Sequence, residues 1–117
     1  MRYLIFFMTA VTFAFVQPAY AESPLSSPPG MNKDAAMHNS EGVAALAKDK
    51  LADAESHFRE ALKLDSKSPE AHFNLGLALH GEGKHKEAKD EFVAAKKLAP
   101  NDKRITGSKL LSHHLEK

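Results

Sequence analysis

The chain repeats itself with a fixed period. Shifted by 34 positions, the sequence returns nine identities within one repeat length. His38 recurs as His72, Gly42 as Gly76, Ala44 as Ala78, Lys50 as Lys84, Ala54 as Ala88, Phe58 as Phe92, Ala61 as Ala95, Lys63 as Lys97 and Leu64 as Leu98. Ordinary residue frequencies give roughly two such matches by chance. The matches are mostly small residues and aromatics, which set how closely helices approach. A period of this length belongs to units that cannot bury their apolar face alone and stack on a neighbour.

Each unit reads as two helices. The first unit predicts helices over about 34–48 and 51–64, the second over about 69–80 and 84–98. Ser68-Pro69-Glu70 offers an N-cap, a proline at the first helical position and an early acid. Gly81 and Gly83 break the second pair, and Asp49 stands where Gly83 stands one repeat later. Both residue types tolerate the left-handed backbone that a tight interhelical turn often needs. Pro100 stops the last paired helix. Ala88, Phe92 and Ala95 form one helical stripe, and Ala54, Phe58 and Ala61 repeat it. The alanines allow close approach and the phenylalanine fills the space.

At these residues the chain resembles the tetratricopeptide repeat family over about residues 35–102. Leu75-Gly76, Ala88, Phe92, Ala95 and Pro100 match the family pattern in the second unit, and Gly42, Ala54, Phe58 and Ala61 match it in the first. Glu41 replaces a leucine, Ser66 replaces the closing proline, and His38 and His72 take the place of a large aromatic. The resemblance implies an all-α, right-handed solenoid of helical hairpins: one repeat over 34–67, a second over 68–101, and a C-terminal capping helix over 102–117. Asn101 or Asp102 can cap that last helix, and Ile105, Ser108, Leu111, Ser112 and Leu115 share one of its faces.

The segment HFNLGLALHGEG, residues 72–83, sharpens the functional question. Its apolar residues alternate like those of a strand, but as a helix they separate into two faces. Leu75 and Leu79 lie about 40° apart, and so do Phe73 and Leu77, with about 160° between the two pairs. One face serves the repeat core. The resemblance implies that the other points into a concave groove, lined by Asn39, Val43 and Leu46 from the first unit and by Phe73, Leu77 and His80 from the second. Some family members clamp a C-terminal carboxylate in such a groove with lysines and asparagines. Here those positions are Asn39, Val43, Phe73 and Leu77, mainly apolar, which argues for an apolar partner surface instead. A protein or peptide partner, a second copy of the chain, or the chain's own terminal helix can meet that face. The expected function is a non-enzymatic adaptor or assembly factor, with a homo-oligomeric structural protein as the alternative and a histidine-based metal-binding protein as a further one.

The ends carry other signals. Met1 and Arg2 precede an apolar run from Tyr3 to Val16, then Pro18 and Ala19-Tyr20-Ala21. This is the pattern of a secretory signal peptide over 1–21, cleaved after Ala21, and it predicts a periplasmic or secreted protein without stable membrane insertion after cleavage. Residues 22–33, rich in proline and serine, read as a flexible linker with little to bury. Losing Arg2, one of 16 basic side chains, leaves 15 to balance 15 acidic ones. That balance gives no reason to expect nucleic acid as a partner. Without cysteine there are neither disulfides nor thiolate chemistry.

Seven histidines raise the question of a metal. None sits three or four residues from another ligand in a convincing pattern. His72 and His80 are eight apart, His113 and His114 diverge on a helix, and His57 pairs only loosely with Asp53, four residues before it. His85 lies on the Ala88/Phe92 stripe and reads as a partly buried packing residue. No metal site, cofactor or catalytic residue is expected.

Overall fold

The computed structural model describes residues 22–116, so the expected signal peptide lies outside the described residues. Helices α1 (Lys33–Ala47) and α2 (Leu51–Leu64) form one hairpin, and α3 (Pro69–Gly81) and α4 (His85–Leu98) form the next. Two short helices follow, α5 (Lys103–Thr106) and α6 (Lys109–Leu115). Within each hairpin the helices pack together, and α2 packs on α3 to join the units. This is the all-α hairpin stack that the sequence predicts.

Local chemistry accounts for the helix ends. Asn32 caps α1 by accepting from the Asp34 and Ala35 amides at 3.0 and 3.1 Å, and Ser68 caps α3 through the Ala71 amide at 3.1 Å. The turns between paired helices pass through the left-handed region at Asp49 (φ 57°) and Gly83 (φ 79°). The two positions are equivalent in the repeat. The first unit meets the steric cost with an aspartate, the second removes it with a glycine.

The recurring glycines and phenylalanines explain each other. A Cβ at Gly42 would lie 2.5 Å from Cε1 of Phe58, and a Cβ at Gly76 would lie 2.5 Å from Cε1 of Phe92. Each first helix therefore rests its bare backbone on the phenylalanine ring of its partner helix. Phe58, Phe92 and the flanking Ala54, Ala61, Ala88 and Ala95 are all fully buried. Burying one such ring contributes about 1.5–3 kcal/mol.

Two expectations need correction. The terminal helix is not continuous: it breaks at Gly107, whose amide donates to the Lys103 carbonyl at 2.9 Å. A Cβ there would meet that carbonyl oxygen at 2.6 Å. The chain turns at this point and restarts at Ser108, which caps α6 through the Leu111 amide. Continuing the 34-residue spacing, Leu111 and His114 stand where Leu77 and His80 stand one unit earlier. Helix α6 packs on α4, much as α3 packs on α2, and so begins a third unit that goes no further among the described residues.

The second correction concerns residues 22–33. Leu25 is buried and belongs to the same apolar cluster as Leu46, Phe73, Leu77, Ile105 and Leu111. The reading of a linker with little to bury overlooked this single leucine. Helix α3 is buried without interruption from Phe73 to Leu79. Both of its apolar faces are therefore covered within the chain. None of the helices among the described residues is long and apolar enough to cross a membrane.

Candidate functional site

The first helices of the two units, α1 and α3, share a face, and residues 22–31 run across it. Two side-chain amides hold this strap. Asn74 on α3 accepts from the Leu25 amide through Oδ1 at 2.7 Å. Its Nδ2 donates to the Leu25 carbonyl at 2.8 Å and to Oδ1 of Asn39 at 2.9 Å. Asn39 on α1 donates from Nδ2 to the same Leu25 carbonyl at 3.1 Å and to Oγ of Ser27 at 3.0 Å. Both asparagines are fully buried. Each uses both amide hydrogens, so the pair forms a satisfied polar network inside an apolar surround. The strap's start is fixed separately. The Glu22 carboxylate accepts from the Leu110 amide at 2.7 Å and from the Ser108 hydroxyl, at the beginning of α6.

Of the expected groove residues, Asn39 holds the strap and Phe73 lines the cleft beside it, whereas His80 meets His85 and His114. Asn39, Leu46, Phe73 and Leu77 are buried, while Val43 and His80 are half-buried. A cleft of about 800 Å³ remains beside the strap, lined by Leu25, Phe73 and residues of α5 and α6. Sequence reasoning named Asn39 but missed Asn74 and Leu25. Asn74 left a signal: it is the one amide inside the apolar run from Phe73 to Leu79.

Histidines gather in two places. His38, Glu41 and His57 meet between α1 and α2, with Oε2 of Glu41 3.1 Å from Nδ1 of His57 and 3.6 Å from Nδ1 of His38. His80, His85 and His114 converge from α3, α4 and α6, with Nδ1 of His80 2.8 Å from Nε2 of His114. His114 is buried, and His85 is exposed rather than packed into the stripe. Burial first, then the neighbouring His85 and His113, hold the His80 imidazole below its ordinary pKa.

His72 shows the opposite shift. Burial pulls its pKa down, but the Glu91 hydrogen bond at 2.6 Å, the Ser66 carbonyl and the Glu91 charge together raise it. A raised folded-state pKa means stability that is fully present below the unfolded value of about 6.5 and is lost as pH rises through the folded value. Glu91→Gln is therefore expected to destabilise the fold by about 1 kcal/mol near pH 6, with the deficit shrinking as pH rises above the folded value. Urea unfolding of both proteins across that range measures it; a deficit that does not change with pH refutes the charged pair.

The tetratricopeptide repeat family model matches residues 39–103. No curated protein and no solved structure matches the chain significantly. The matched region runs from the middle of α1 to the start of α5 and includes both asparagines.

Proposed function

The chain belongs to the tetratricopeptide repeat family, and we propose that it is an exported adaptor whose concave face holds an extended peptide segment. Repeats of this kind are a non-catalytic scaffold consistent with protein interaction. One observation carries the finer reading: Asn39 and Asn74 grip both polar main-chain groups of Leu25. Such a grip reads backbone, not side chain, and suits any extended segment that brings one apolar residue to the Leu25 position. Residues 22–31 occupy the place in the free chain, so a partner segment must displace them.

The groove residues then divide their work. Asn39 holds the peptide backbone, and Phe73 lies beside the pocket of the apolar side chain. Leu46 and Leu77 support the floor and Val43 meets partner side chains at the edge, while His80 turns toward His85 and His114 and takes no part in holding the peptide. The apolar leader over residues 1–21 supports export to the periplasm or beyond.

The test uses the full chain with Leu25→Asp, which puts a charge into the apolar site and unseats the strap. A labelled synthetic peptide with the sequence of residues 22–31 is expected to bind this variant and not the parent. Adding Asn74→Ala should abolish binding. A folded L25D variant that ignores the peptide, or that keeps binding it without Asn74, overturns the proposal. Dimerisation of L25D without peptide binding would favour the homo-oligomer instead.

A further inference from the structure

We infer that His80, His85 and His114 form a binding site for one divalent late-transition-metal ion, which fastens α6 to the second repeat. The three residues come from three separate helices, so no local spacing in the sequence reveals them. Their candidate ligand nitrogens all lie within 4.8 Å of one another. The ring centroids are 5.0 Å apart for His80–His85 and His80–His114, and 5.6 Å apart for His85–His114.

A tetrahedral zinc ion with bonds of about 2.0–2.1 Å sets its ligand nitrogens about 3.3 Å apart. The His80–His114 pair, now 2.8 Å apart and sharing a hydrogen bond, would open by about half an ångström to accept it. The ring that carries the shared proton would shift it to its other nitrogen, so both facing atoms become donors to the metal. His85, exposed at the first residue of α4, closes the third side with a small ring movement.

The donor set decides the class of ion. Three imidazoles suit zinc, copper(II) or nickel(II), whereas calcium and magnesium require oxygen ligands. The site opens into a cleft of about 410 Å³ lined by the three histidines, His113, Lys86 and Lys89. That opening leaves a fourth position for water or an anion, and the positive charge of Lys86 and Lys89 favours the anion. The other cluster, His38, Glu41 and His57, also brings its ligand atoms within 4.8 Å of one another, but it joins only α1 and α2 of one hairpin, so a variant at His57 tells the two sites apart.

Such an ion would tie α6 to α3 and α4 at once. The cap is two short helices broken at Gly107, so it gains most from an added link. Zinc titration of the full-length chain by calorimetry, with a melting curve at each step, tests the site. One equivalent is expected to bind with micromolar affinity or better and to raise the Tm. His85→Ala should weaken binding about tenfold or more and abolish the rise, while leaving the metal-free Tm unchanged. His57→Ala should change neither. Affinity weaker than on the order of 100 µM overturns the assignment, and so does zinc binding that survives His85→Ala or that fails in His57→Ala.

Discussion

Gly76→Ala is expected to destabilise the protein, although the same exchange favours a helix by about 1 kcal/mol on backbone propensity alone. The new methyl would lie 2.5 Å from Cε1 of Phe92 and 2.7 Å from Cδ1. That ring has nowhere to retreat. It is fully buried, with the rings of Phe73 and His114 at centroid distances of 5.6 and 5.4 Å. Overpacking of this kind costs about 1–3 kcal/mol, enough to cancel the propensity gain or exceed it. Phe92→Ala should cost more, about 3–5 kcal/mol, a large share of the stability of a chain this small. The two changes should not add. In the double variant the methyl at position 76 enters space that the ring has left, so its penalty disappears and the propensity gain returns. The double variant is therefore expected to be more stable than Phe92→Ala alone. Urea unfolding of the parent, both single variants and the double completes the cycle. If Gly76→Ala proves stabilising in the parent, the glycine–ring contact does not hold the hairpin together. Gly42 and Phe58 should behave the same way, because the first unit repeats the geometry.

That contact was half-visible in the sequence. The recurrence of Gly42 with Phe58 as Gly76 with Phe92 marked these residues as structural, and the family resemblance placed them on facing helices. The four long helices were legible to within a residue at each end, because caps, turns and periodicity are local signals. The paired asparagines were not. Their network joins Asn39 to Asn74, 35 positions apart, and reaches Leu25 from 49 positions away. A proline- and serine-rich segment carries no periodicity that would announce docking. One leucine between polar residues looks incidental until two buried amides face it. The histidine trio was hidden for the same reason. His80, His85 and His114 lie on three separate helices, so no local spacing relates them, and only stacking brings them together. The break at Gly107 was not legible either, because the close approach to the Lys103 carbonyl arises only in the folded turn.

Asn74→Ala is expected to release the strap while leaving the repeats folded. The change deletes three hydrogen bonds: from the Leu25 amide, to the Leu25 carbonyl and to Asn39. Were the strap to stay, the Leu25 amide would remain buried without an acceptor, at a cost of about 1–3 kcal/mol. Only the burial of one leucine side chain, worth about 1.5–3 kcal/mol, favours staying, whereas the entropy regained by freeing the segment, about 1–2 kcal/mol for each residue released, adds to the drive to leave. The balance favours leaving. Once detached, the strap's polar groups find water, and the hydrogen bonds within α1 to α4 are untouched. The global loss in urea unfolding should therefore stay near 2 kcal/mol, while the Leu25 amide passes from slow to fast hydrogen exchange. The amides of α3 should remain slow. Asn39→Ala should free the same segment through the carbonyl it shares with Asn74, and the two changes together should cost less than their sum, since either one already dissolves the network. If the Leu25 amide of N74A exchanges as slowly as in the parent, apolar burial alone holds the segment. The paired amides would then be a support for the helix contact and not a grip on extended chain.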